Sequence, residues 1–411
     1  MKKKSLNKKI RNFELKNFVI TILTCLFITS SILVCTGNCF GEEKYSPIVE
    51  KLYELYKKEP RILDKALANA VTPPTGVCSK SPVTGEPFCW KGKSIKDMLV
   101  FFERWLNFIP TPQNDGFAYY QLFYDFCYNN LYALQFVETE PWLGWTKNFT
   151  KARGEKMDSP VDPKIIDQWK AFLGEEWNDY IIPEGGFKTF NQFFTRKIKP
   201  TARPIFGDDT ILAAPADSLI NAINSNLTAT TQINTKYEES LNIRQLLDGS
   251  KYTDTFNGGT AISCVLLPTV YHWYHAPVGG TVIESREIPG TSFGMNGGFY
   301  TFVNNGNFGG YKASFGVFGI YHRGYYIIET EKYGLVAMIP VGLDDVNSVN
   351  FVPDVSNIPE NNPVKKITKG APLGYFAYGG SVVILLFEPR VFTGLKVNQG
   401  QQVGIITPIN R

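Results

Sequence analysis

Two textures of hydrophobic spacing divide the chain. In residues 46–70, "SPIVEKLYELYKKEPRILDKALANA", Ile48, Leu52, Leu55 and Tyr56 recur at intervals of three and four, which is the spacing of one helix face. Ser46 can cap that helix and Pro47 suits its first turn. Residues 162–174 repeat the device. Asp162 caps, Pro163 follows, Ile165, Ile166, Trp169, Phe172 and Leu173 make the apolar stripe, and Gly174 stops it. Between these segments, "MLVFFERWLNFIP" and "FAYYQLFYDFCYNNLYAL" keep a helical pattern and supply aromatic side chains to a core. A mainly helical domain is predicted over residues 42–185.

After "PEGGF" the texture changes. Short apolar, β-branched runs alternate with turn residues: "ILAAPADSLINAI", "AISCVLLP", "GGTVIES", "YYIIETEKYGLVAMIPV" and "KKITKGAPLGYFAYGGSVVILLF". That pattern predicts a β-rich domain over residues 186–411, and with the helices before it an α+β fold. Residues 290–312 are dense in Gly, Asn and aromatics, and fit either a loop over a pocket or a plain surface loop. There is no heptad pattern, no solenoid repeat, no P-loop and no GxGxxG fingerprint. One feature breaks the strand pattern. The apolar run Val382–Phe387 is preceded by Gly379, Gly380 and Ser381, although glycine weakens a strand interior unless a bend or close approach requires it.

Charge narrows the function. Residues 1–41 carry seven Lys/Arg against Glu14 alone, so the net charge of +4 comes from the N-terminus and the remainder is near neutral. A near-neutral body argues against a nucleic-acid binder. The basic stretch precedes an apolar run, Phe18–Val34, with small residues and Cys39 and Gly41 after it. The run is about 25 Å long as a helix, short for a membrane span, and reads as an export signal over residues 1–41, with an uncleaved N-terminal anchor as the alternative. The protein is expected outside the cytoplasm, secreted or periplasmic, or anchored by that segment. Cys78 and Cys89 flank "SKSPVTGEPF", a spacing that permits a disulfide in an exported protein and two free thiols otherwise. No pair of cysteines has the CxxC spacing of a zinc site, and no metal is expected.

Only three histidines occur, and two of them lie in "LPTVYHWYHAPVGGTV". His272 and His275 are three apart, so a helical turn would put them on one face. They could hold a metal, act as acid and base, or sit as satisfied core groups. Their concentration in a histidine-poor chain favours chemistry. His322 receives no role. Asp217, in "AAPADSLI", is a turn-former or a carboxylate that orients an imidazole. Spacing alone does not choose between a hydrolase triad and another arrangement around Ser381.

Four segments in order resemble the phosphatidylserine decarboxylase family: "FNQFFTRKIKPTARPI" (190–205), "AAPADS" (213–218), "YHWYHAPVGGTV" (271–282) and "KGAPLGYFAYGGSVVILLFEP" (369–389). They span about 200 residues of the β-rich region. The resemblance implies self-cleavage between Gly380 and Ser381, Ser381 becoming a pyruvoyl group, the enzyme's own cofactor. It assigns Asp217, His275 and Ser381 to the cleavage triad and His272 to the family's other histidine. It implies that the pyruvoyl keto group condenses with a substrate amine and draws off the electrons left when CO2 departs. "APVGGTV" and "KGAPLG" are similar to the two halves of a hybrid β-barrel, so the catalytic domain is expected to be of that type. Residues 42–190 look like the helical domain of a subgroup that resembles fungal tryptophan decarboxylase.

The sequence departs from the family's pattern at three places. Ser218 stands where the family has glycine, Val382 where Ser or Thr is usual, and Asp344 and Asp345 lie in a stretch that is mostly small and apolar in relatives. The implied substrate has a free amine and a carboxylate. Phosphatidylserine comes first, with association at a membrane. A free, aromatic L-amino acid is the alternative, and a noncatalytic exported binding protein is a third reading, permitted by Val382. A serine hydrolase lacks its GxSxG elbow. A homodimer is common in the family.

Overall fold

A computed structural model describes residues 44–72, 78–127, 130–228, 232–234, 240–290, 322–343, 349–359, 364–402 and 404. The N-terminal apolar run, nearly all of the Gly/Asn-rich stretch 290–312, and Asp344–Asp345 lie outside the described residues. No helix among the described residues is long and apolar enough to cross a membrane.

The first predicted helix is two. α1 (Pro47–Lys58) and α2 (Arg61–Ala68) are separated at Glu59–Pro60, because Pro60 has no N–H to give and its ring collides with the carbonyl four residues back. Ser46 occupies the cap position without capping. Its hydroxyl and backbone N–H instead donate to the Glu103 carboxylate at 2.7 and 2.8 Å. Glu103 belongs to α3 (Ile95–Asn107), which starts with a Ser94–Asp97 capping box. α4 (Phe117–Cys127), α5 (Leu131–Glu138) and α6 (Trp142–Met157) follow. α7 (Pro163–Leu173) matches its prediction. Asp162 accepts from the Lys164 N–H at 2.9 Å, and Gly174 ends the helix at φ +58°.

The aromatic face packs as predicted. Phe102 meets Trp145 at 4.7 Å and Phe149 at 5.0 Å between ring centres. The buried Arg153 donates to the carbonyls of Leu106 and Phe108, satisfying acceptors that the end of α3 leaves over. α8 (Phe190–Phe194) leads into the strands.

β1 (Leu219–Ser225), β4 (Thr260–Leu266), β12 (Gly380–Phe387), β8 (Leu335–Leu343), β7 (Arg323–Glu329), β6 (Gly280–Ile288) and β10 (Lys365–Ile367) lie in that order in an antiparallel seven-stranded sheet. β5 (Trp273–His275), β11 (Pro372–Phe376) and β9 (Val349–Phe351) form a second sheet, and β2 (Gln232–Asn234) pairs with β3 (Ser240–Asn242). The α+β class is borne out.

β12 sits deep in the large sheet, and its side chains alternate between two cores. Val382, Ile384 and Leu386 share a core with Val265, Val341 and the helical aromatics. Val383, Leu385 and Phe387 share the other with Cys264, Leu266, Met338 and with Tyr274, Leu373 and Phe376 of the small sheet. Period-two alternation therefore puts Ser381 on the small-sheet side.

Candidate active site

The Gly-Gly-Ser interruption lies at the start of β12, not in its interior. Gly379 has φ +150°, a conformation that side-chain-bearing residues rarely adopt. Gly380 is then the first residue of the strand. Ser381 is fully buried, opposite Leu266 on β4 and Gly342 on β8. Its hydroxyl has no hydrogen-bond partner among the described residues. A buried hydroxyl normally finds one, at a cost of about 1–3 kcal/mol otherwise.

The small sheet brings the histidine segment to this point. β11 pairs with β5, and the Phe376 N–H donates to the His272 carbonyl at 2.9 Å. Four residues then lead to Ser381. Within them Tyr378 is firmly held. Its N–H donates to Asn191 Oδ1 and its hydroxyl to the Asp115 carbonyl, and its ring packs on Phe190 and Phe194. Phe194 also lies over His272, with ring centres 3.9 Å apart.

The two histidines do not share a helical face. Their segment is extended, and in a strand a spacing of three turns side chains to opposite sides. His272 is fully buried, whereas His275 is partly exposed. The same device fixes both rings. His272 Nδ1 lies 2.8 Å from the Val270 carbonyl, and His275 Nδ1 lies 2.8 Å from the Gly370 carbonyl. A carbonyl only accepts, so each Nδ1 carries the proton and each Nε2 holds the lone pair. His275 Nε2 then accepts from the Tyr271 hydroxyl at 3.1 Å. Burial pushes the His275 pKa below the ordinary imidazole value, and the Gly370 bond and the Asp217 charge oppose that shift.

Asp217 makes its bonds elsewhere. Arg203 grips it at 2.9–3.2 Å through Nε and Nη2, and also pairs with Asp179 at 3.0 Å and Glu176 at 3.4 Å. The tautomer of His275 is therefore set by a backbone carbonyl, with Asp217 acting through its charge. Ser218, the departure beside it, donates to the Ala216 carbonyl at 3.1 Å, so the turn accommodates it. Two arginines that no sequence spacing marks also serve the site. Besides Arg203, the buried Arg196 donates to the carbonyls of Phe193, Thr269 and Val270, the last being the acceptor of His272. Both lie in the "TRKIKPTARPI" block. Their place there was the available signal.

His322 is paired with Glu287 at 2.9 Å, on the β6–β7 side. No group of three His, Cys, Asp or Glu able to hold a metal is found among the described residues. Cys78 and Cys89 form a disulfide, and Cys127 and Cys264 are buried thiols. The pKa of Cys264 is pushed up to about 11 by burial.

The phosphatidylserine decarboxylase family model matches residues 190–405, which contain Asp217, both histidines of the pair and Ser381. The chain belongs to that family. Its members are pyruvoyl-dependent carboxy-lyases. Phosphatidylserine decarboxylase proenzyme 3 of Schizosaccharomyces pombe is 34% identical over 247 residues, 60% of this chain and 23% of that protein. Phosphatidylserine decarboxylase proenzyme 2 of Oryza sativa subsp. japonica is 32% identical over 246 residues, 59% of this chain and 36% of that protein. The phosphatidylserine decarboxylase proenzyme of Clostridium perfringens is 31% identical over 275 residues, 63% of this chain and 85% of that protein. The chain thus spans roughly a third or less of the first two and most of the third. The residues fit a self-derived pyruvoyl group. Its precursor hydroxyl is buried without a partner among the described residues, directly after a glycine pair at the start of a strand.

Proposed function

We propose that this chain is a proenzyme that cuts itself between Gly380 and Ser381 and then decarboxylates phosphatidylserine to phosphatidylethanolamine. The observation that carries the reading is the buried Ser381 hydroxyl, without a partner among the described residues, on the same side of the sheet as the histidine-bearing strand. Residues 42–185 are the associated helical domain and 186–411 the catalytic one. The Cys78–Cys89 disulfide supports export through the N-terminal segment.

In the cleavage step the Ser381 hydroxyl attacks the Gly380 carbonyl carbon. His275 Nε2, released from Tyr271, takes the hydroxyl proton. The C–N bond breaks, the nitrogen takes up a proton, and an ester replaces the amide. Loss of the Ser381 α-proton expels the Gly380 carboxylate and leaves dehydroalanine. One water then converts its amine end to a ketone and releases ammonia. Residue 381 becomes the pyruvoyl end of a chain covering 381–411. The ladders to β4 and β8 keep that short chain in place after the cut. Gly379 gives the bond the backbone freedom the attack requires.

The pyruvoyl group supplies an electron sink for the pair left by departing CO2. The protein's part is positional. Phe194 and the Val270 carbonyl hold the His272 ring, and burial keeps water from it. Measuring CO2 release from phosphatidylserine vesicles against a panel of free amino acids tests the substrate. Release from the vesicles alone supports the reading, and release from a free amino acid alone overturns it. A Ser381→Ala chain is expected to stay uncut and inactive.

A further inference from the structure

The turn Ile205–Ile211 carries an apolar tip rooted in the catalytic groups. Phe206 is 80% exposed, Ile205 48% and Ile211 38%. Scattered exposed apolar side chains are ordinary, but a contiguous group is not. These three are contiguous. Gly207 turns the chain at φ +73°, and a Cβ there would stand 2.5 Å from Ile211. Exposed hydrogen bonds tie the turn together. Lys369 Nζ donates to the carbonyls of Gly207, Asp208 and Ile211, and Asp208 accepts from the Thr210 N–H and hydroxyl.

The tip is fixed to the site at three points. Arg203, two residues before Ile205, grips Asp217. Ile205 lies against Gly370, where a Cβ would stand 2.4 Å from its Cδ1, and the Gly370 carbonyl holds His275. The Ala213 N–H donates to the Pro277 carbonyl, two residues past His275. The exposed Lys197 and Lys199 cross from Ile181 and Asp179, and Asp179 is itself bound by Arg203. Their charge suits an anionic headgroup.

We propose that Phe206 and its neighbours Ile205 and Ile211 insert into the surface of a phospholipid bilayer and dock the active site on it. The inference rests on the proposed action upon a phospholipid. A lipid substrate stays in its bilayer, so the reacting groups must be carried to the headgroup. An apolar projection braced on Asp217 through Arg203 and on His275 through Gly370 does that. Asp208 and Asp209, exposed in the same turn, oppose deep burial, so only the side chains of Ile205, Phe206 and Ile211 would enter the interface.

The test uses the full chain with Phe206→Trp and Phe206→Asp, since Phe206 touches none of the catalytic groups. With Phe206→Trp, vesicles of brominated phosphatidylcholine and phosphatidylserine are expected to quench more tryptophan emission than in wild type. Equal quenching overturns docking. With Phe206→Asp, self-cleavage and turnover of water-soluble short-chain phosphatidylserine are expected to be unchanged, while kcat/KM on vesicles falls roughly tenfold or more. An unchanged ratio of vesicle to short-chain activity overturns the proposal. Wild type that turns over neither lipid refutes the proposed reaction, and the quenching result still decides docking on its own.

Discussion

Val382→Thr restores the side chain usual in the family and is expected to harm this protein without helping cleavage. Val382 is fully buried, and its register partners on both flanking strands are valines, Val265 and Val341. Threonine keeps the volume and replaces one methyl by a hydroxyl. Losing the buried methyl costs about 1 kcal/mol. The backbone groups on both sides are spent in the ladders to β4 and β8, so the hydroxyl is left unpartnered at about 1–3 kcal/mol more. Unfolding entropy for a unit of this size is roughly 0.75 kcal/mol per degree, so about 2–4 kcal/mol lowers Tm by about 3–5 °C. The assay is calorimetry of Val382→Thr against its parent, both carrying Ser381→Ala so that neither is cut. A separate time course with Ser381 intact follows cleavage on gels. Residue 382 faces the helical core and not β5, so the rate should not rise. A variant as stable as its parent, or one that cuts itself faster, refutes the placement of these side chains.

Arg203→Gln removes the clamp on Asp217 and leaves three carboxylates facing one another. Self-cleavage is expected to slow about tenfold or more, with partial recovery in Arg203→Lys, and wild-type speed in Arg203→Gln would count against the clamp. The depressed pKa of His275 keeps its Nε2 unprotonated in mild acid, so the acid limb of the cleavage rate should fall below the ordinary value of 6.5. Asp217→Asn should move that limb lower still, because the Asp217 charge raises the His275 pKa. The unfolded chain binds a proton that folded His275 refuses, so stability should decline as pH drops from about 6.5 through the folded pKa. A limb at or above 6.5 contradicts the burial argument. Cys78→Ser opens a loop of sequence separation 11 and should cost about 2–3 kcal/mol, read as a lower denaturant midpoint. An unchanged midpoint would show that the loop is held by its other contacts.

Local rules reached far into this fold. α7 begins and ends where Asp162 and Gly174 dictate, and the aromatic spacing marked the helical core. Where they failed, a specific residue overruled the pattern. Pro60 splits the first helix, and Glu103, far along the chain, takes the Ser46 hydroxyl from its cap. At the site, residue types and motif order singled out Asp217, His272, His275 and Ser381 as candidates. Their partners were not legible. The Gly370 carbonyl, the Tyr271 hydroxyl and the Arg203 clamp are set by pairing between distant segments, which no local spacing encodes. The extended form of the histidine segment likewise comes from its pairing with β11.

Intact-mass measurement of the purified protein bears most directly on self-processing. Two polypeptides that meet between residues 380 and 381 are expected, the shorter lighter than a serine-started chain by the mass of ammonia. A single polypeptide, continuous through Gly380 and Ser381, would contradict it.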